Sequence, residues 1–157
     1  FMSENLLEKY IGNNFILLSD KKINFPYNVE SIIEFQNNII ILLKAVYPDF
    51  AKEKLFDSKA IWTKEELGWC EASLDIFNTN VWCYDFNGNF KWRAPDSYPE
   101  KNHQMSFLRT GHRLFVPYTK IRVHPQMEDT LIAFTNYGYL SHIRISDGAL
   151  IERIDTK

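Results

Sequence analysis

Val81-Trp82-Cys83-Tyr84-Asp85-Phe86-Asn87-Gly88-Asn89-Phe90-Lys91-Trp92 is the stretch on which the fold turns. Residues 81–86 read as a strand rich in aromatic and β-branched side chains, the types that suit a pleated, half-buried surface. The run stops at Asn87-Gly88, and a second strand-like run follows over residues 89–93. Asn-Gly is a strong hairpin signal, because both central residues of the tight turn need positive φ. Two antiparallel strands are therefore expected here.

Working outward, the same order recurs downstream. Residues 130–135 lead through Asn136-Tyr137-Gly138 to 139–145, then through Ser146-Asp147-Gly148 to 149–154. Upstream, residues 70–77 read as a strand joined to 81–86 by a turn at Asn78-Thr79-Asn80. That turn would also let Cys70 and Cys83 face each other across a hairpin. Residues 29–35 and 39–44, joined at Gln36-Asn37-Asn38, make a shorter copy. Asn37 and Asn78 are about 41 residues apart, within the blade length of propeller repeats. The longer step from Asn78 to Asn136 reads as a repeat with an insertion over residues 95–125, where His, Arg and Pro collect around one strand-like piece at 112–118.

Helix is expected to be minor. Residues 3–11 follow an N-cap-like Ser3 and put Leu6, Leu7, Tyr10 and Ile11 on one face, with Gly12 as the stop. A helical turn or two is expected over 50–56 or over 63–67, and in the second Thr63 and Glu66 have the spacing of a capping box. The fold class is thus mainly β: antiparallel meander sheets in a single domain over residues 1–157, with blade-like repeats near 29–44, 70–93 and 130–154. Three or four sheets are too few to close a propeller. The chain is either an incomplete propeller or a two-sheet sandwich, its open edges covered by the amino-terminal helix and the insertion.

Composition narrows the function classes. The chain has 157 residues, 45% hydrophobic and 15% aromatic, with six Gly and six Pro, which excludes collagen-like, disordered and disulfide-rich classes. The longest apolar run, Ile39 to Leu43, is too short to span a bilayer. The first residues, with Glu4, Glu8 and Lys9, lack the pattern of a signal peptide. Two cysteines make no disulfide framework, so a reducing, cytoplasmic setting is expected. Net charge is −2, but residues 1–90 carry thirteen acids against eight lysines, and the remainder is basic. A pI near 6.1 argues against direct nucleic-acid binding.

Candidate chemistry lies in three places. His103, His112 and His124 lie in the insertion with Lys101, Arg109, Arg113, Lys120 and Arg122, a set that could do acid–base work on nucleic acid. No pair of them has metal-ligand spacing or sits beside a nucleophile in a recognisable elbow, so no catalytic residue and no metal ligand is assigned. Glu65, Glu66, Glu71, Asp75 and Asp85 form the strongest acidic imbalance, facing only Lys64 over residues 60–90. Trp62, Trp69, Trp82 and Trp92 crowd the same window, most of them expected in the core and one or two exposed as interface anchors.

The segments 81–92 and 143–151, each an apolar strand leading into Asp-x-x-Gly or Ser-Asp-Gly, resemble quinoprotein-type and WD-type propeller blades. The Trp-Asp and Gly-His signatures of WD repeats are missing and the blades are few, so no cofactor is carried over. In overall character the chain resembles the small bacterial immunity proteins of polymorphic and contact-dependent growth-inhibition toxin systems. That resemblance implies a non-enzymatic inhibitor that binds a cognate toxin domain, a basic nuclease such as an RNase, and covers its active site. The expected partner-binding residues are Glu65, Glu66, Glu71, Asp75 and Asp85, with Trp62 or Trp69 as anchor, because carboxylates would complement a phosphate-binding groove. The alternative is a small enzyme or nucleic-acid-processing module working through the insertion.

Overall fold

The computed structural model describes residues 6–54, 59–97, 116–136 and 138–156, apart from the side chains of Leu6, Glu71, Leu74 and Asp75. Its architecture is mainly β, with two four-stranded antiparallel sheets packed as a sandwich. In the first sheet β3 (Val29–Phe35), β4 (Asn38–Leu43), β5 (Val81–Asp85) and β6 (Phe90–Arg93) lie side by side in chain order. The second is built likewise from β7 (Tyr118–Val123), β8 (Thr130–Thr135), β9 (Tyr139–Arg144) and β10 (Leu150–Asp155). A separate hairpin, β1 (Phe15–Leu18) and β2 (Lys21–Asn24), turns at Ser19, whose φ is +55°.

The apolar run Ile39 to Leu43 explains the layering. All six residues of β4 are buried, because both faces of that strand are covered. Ile40 and Leu42 join Val81, Cys83 and Trp92 against Tyr118, Leu131 and Ile143 of the second sheet. Ile39, Ile41 and Leu43 point the other way, onto Ile16 and Leu18 of the β1–β2 hairpin and onto Leu7 and Tyr10 of a short 3-10 helix, Leu6–Tyr10. Each of these Ile and Leu side chains contributes about 2 kcal/mol relative to exposure. The amino-terminal segment thus covers a sheet face, where an edge cover was expected. It is 3-10 where an α-helix was expected, and Gly12 ends it with φ +91°.

Trp92 ties the two sheets together. Its indole Nε1–H donates to the Ile145 carbonyl at 2.7 Å. Gly148 packs on the same ring: a Cβ built there would lie 2.6 Å from it, at a φ of +76°.

The largest departure from the sequence reading is α2 (Lys64–Asn78), which replaces the strand expected over 70–77. Leu67, Cys70, Leu74 and Phe77 recur at intervals of three and four, a helical period, and the Thr63–Glu66 capping box starts the helix. Asn78-Thr79-Asn80 is therefore a helix-to-strand junction and not a hairpin turn. Cys70 sits on α2 and Cys83 on β5, both free and buried, so they do not oppose each other on paired strands. A second helix, α1 (Asp49–Lys54), overlaps the expected turn over 50–56 and starts one residue before it. The turns at Asn87-Gly88, Asn136–Gly138 and Asp147-Gly148 connect paired strands as expected. Of the insertion, 98–115 lies outside the described residues. Its strand starts at Tyr118, where the expected piece ends, and runs to Val123. The β1–β2 hairpin had no counterpart in the sequence reading, because β2 is mostly exposed Lys and Asn and shows little alternation.

Candidate functional site

Most of the expected site residues collect where α1 and α2 cover one end of the sandwich. Thr63 caps α2: its Oγ1 accepts from the Glu66 N–H at 3.2 Å, and Glu66 Oε1 accepts from the Thr63 N–H at 2.8 Å. The same carboxylate receives Lys54 Nζ of α1 at 2.5 Å, which fastens the two helices together. The Lys54 ammonium, together with the Thr63 N–H, holds the Glu66 carboxyl below the usual carboxylate range.

Beneath this ion pair lies an aromatic cluster. Phe50 meets Trp62 and Trp69 edge-on at 6.5 and 5.5 Å between ring centroids, and Trp69 meets Phe77 at 5.7 Å. Tyr27 and Tyr47 close over Phe77 from the other side at 5.3 and 4.9 Å. Lys54 Nζ also stands 5.9 Å from the Trp62 ring. Trp62 and Trp69 are thus half-buried and held by packing. The side chain left outward is Ile61, 86% exposed and the most exposed large apolar residue described. Glu65 is exposed in the first turn of α2, and Asp49, Lys52 and Glu53 are exposed on α1.

The five carboxylates do not form one patch of free charge. Glu66 is committed to the cap and to Lys54. Asp85 closes the β5–β6 turn: Oδ1 accepts from the Asn87 and Asn89 N–H groups, both at 2.9 Å, and Oδ2 from Asn89 Nδ2 at 3.1 Å. The Asn89 N–H leads in holding the Asp85 carboxyl below its ordinary value. Asp85 ends β5, at the opposite end of that strand from the α2 junction. Glu71 and Asp75 lie on α2, and their side chains are outside the described set; Asp75 was expected on a strand. Of the three whose side chains are described, Glu65 is the one left exposed with no structural task. α1 carries Asp49 and Glu53 as well as Lys52 and Lys54, so it adds no net charge to the ledge that the two helices form with Ile61 and Trp62. Ile61, Phe50 and Lys54 were missed as contributors. Ile61 has no periodic pattern, and Lys54 lies twelve residues from its partner in a separate helix.

Among the histidines, His103 and His112 lie outside the described residues. His124 has a local task, its Nδ1 accepting from the Gln126 and Met127 N–H groups at 3.0 and 2.9 Å. Its ring meets that of His142 edge-on at 5.1 Å. His142 Nδ1 is buried without a hydrogen bond and stands 3.8 Å from Glu152 Oε2. Among the described residues no group of three His, Cys, Asp or Glu side chains is placed to hold a metal ion. Burial pushes the Cys83 thiol up to about 12, which keeps it protonated and poorly nucleophilic near neutral pH. No helix among the described residues is long and apolar enough to cross a membrane.

Comparison with family models, with curated proteins and with solved structures returns no match for this chain.

Proposed function

We propose that this chain is an immunity protein, which binds a cognate bacterial toxin domain in the cytoplasm and neutralises it by covering its active site. The toxin class proposed is a nuclease with a basic substrate groove. One observation carries the reading: Ile61, 86% exposed, stands beside Trp62, which is braced by Phe50 and Lys54, with the Glu65 carboxylate exposed just beyond. An exposed apolar side chain on a rigid aromatic base, with charge beside it, has the layout of an apolar interface core with a polar rim. A rim carboxylate facing a phosphate-binding groove would act on the association rate. Glu66 supports the surface by fixing its backbone, and Glu65 carries the electrostatic part.

The test is binding to the toxin-like domain encoded beside this chain's gene, measured by surface plasmon resonance at two ionic strengths. The unaltered protein forms a stable complex. Ile61→Asp weakens it at least about tenfold, chiefly through faster dissociation. Glu65→Lys slows association by a smaller factor and reduces its salt dependence. Absence of a complex with the neighbouring product overturns the reading. A complex indifferent to both substitutions removes the ledge from it.

A further inference from the structure

A second feature lies away from that ledge. Where β3 and β4 diverge from β7, a half-open cleft of about 470 Å³ enters the sandwich between the sheets. That volume falls in the usual range for small-molecule sites. Its floor of Leu42, Leu43 and Tyr118 is fully packed, each 2% exposed or less, and the apolar surface it offers comes from the half-buried Ala45, Tyr47 and Pro117. Its mouth is polar, with the Glu30 carboxylate, the Lys44 ammonium and the Asn136 amide. Glu30 and Lys44 are exposed, and neither makes an ion pair or side-chain hydrogen bond, with each other or with any described residue.

The strands themselves are adapted to this opening. The β3–β4 register shifts between Val29 and Ser31, which makes Glu30 the extra residue of a bulge. The β7–β8 register shifts between Tyr118 and Lys120, which makes Thr119 the extra residue of another. Both bulged residues line the cleft. A bulge bends its strand and re-aims one side chain, and it is common beside binding sites. The buried base is also held rigidly, since Asn80 Nδ2 donates to the Leu43 and Tyr118 carbonyls at 2.7 and 2.8 Å.

We infer that this cleft is a binding site for a short zwitterionic peptide of two or three residues carrying an apolar side chain. The free amino group is received by Glu30, the free carboxylate by Lys44, and the apolar side chain by Ala45, Tyr47 and Pro117. Two unmatched charges of opposite sign over an apolar base favour a ligand that carries both charges on an apolar body. A simple anion would leave Glu30 in opposition, and a simple cation would leave Lys44 in opposition. This assignment stands apart from toxin binding, because neither Ile61 nor Glu65 lines the cleft, although Tyr47, which packs on Phe77 beneath the helices, is shared.

The probe is the dipeptide Leu-Phe, titrated into the full-length protein and followed by amide NMR shifts, with N-acetyl-Leu-Phe and Leu-Phe-amide in parallel. The expected result is saturable shifts at Ala45, Thr119 and Asn136, with each blocked peptide binding about tenfold more weakly. Glu30→Gln removes the preference for a free amine only, and Lys44→Gln the preference for a free carboxylate only. Both positions are exposed, so both variants fold. The inference is overturned by no saturable shift up to about 10 mM, by shifts that map elsewhere, or by blocked and free peptides binding alike.

Discussion

Asn80 is fully buried, and every polar atom of its side chain is used. Nδ2 donates to the Leu43 and Tyr118 carbonyls, while Oδ1 accepts from the Tyr118 N–H at 2.9 Å. One side chain thus joins the end of β4 to the start of β7, across the two sheets. Asn80→Leu keeps the volume and strips partners from a buried N–H and two buried carbonyls. A buried group left without a partner costs about 1–3 kcal/mol, so urea unfolding of this variant should show a loss of about 3–5 kcal/mol. Gly148 makes the complementary point about space. Its φ of +76° is strained for any L side chain, and a methyl group there would sit 2.6 Å from the Trp92 ring. Gly148→Ala should cost about 2–4 kcal/mol in the same measurement, from backbone strain and overpacking together. Gly12, whose φ is +91° with open space around it, isolates the strain alone and should cost less.

At the scale of elements, α2 is fixed at its start by Thr63. Thr63→Ala removes the cap and should lower stability by about 1 kcal/mol, read as a lowered thermal midpoint. Glu66→Gln keeps the capping geometry and removes the charge held by Lys54. Because the folded carboxyl is depressed below its unfolded value, the contribution is complete above the ordinary Glu pKa of about 4. It is lost as pH falls through the lower folded value. The stability gap between the unaltered protein and Glu66→Gln should therefore be present at pH 7 and close on acidification below about pH 4. A gap that stays constant down to pH 2 would show that the Lys54 pair does not stabilise the fold. The same helix marks how far the sequence can be read. The strands around Asn87-Gly88 and Asp147-Gly148 were legible because their turns need residues that few other conformations favour. Residues 70–77 read as a strand because Ile76 and Phe77 have side chains common in strands, yet Leu67, Cys70, Leu74 and Phe77 carry the helical period that the structure follows. Of the candidate site, the Trp62–Trp69 region and the capping box were legible. The commitment of Glu66 to Lys54 and of Asp85 to its own turn was not, since each depends on where a partner comes to rest in space.

For the molecule as a whole, two sheets share one apolar core, with strand predominating over helix. Circular dichroism should show a strand-dominated spectrum with a minor helical part from α1 and α2. Each sheet is made of consecutive strands, and no strand crosses from one sheet to the other. Where the chain leaves the first sheet and enters the second, Ser97 Oγ donates to the Val116 carbonyl, and the Ser97 N–H donates to the Asn78 carbonyl at 3.0 Å. The way out of one half and the way into the other are therefore stitched side by side. This has a consequence for assembly. Within each half neighbouring strands follow one another in the chain, by short connections everywhere but the β4–β5 step that carries α1 and α2, and docking of the halves is the other closure that needs distant parts of the chain to meet. Covalent continuity between Ser97 and Val116 is then a convenience of concentration. Residues 1–97 and 116–157, produced as two polypeptides, should find each other and rebuild the sandwich at micromolar levels, making the protein a natural split reporter.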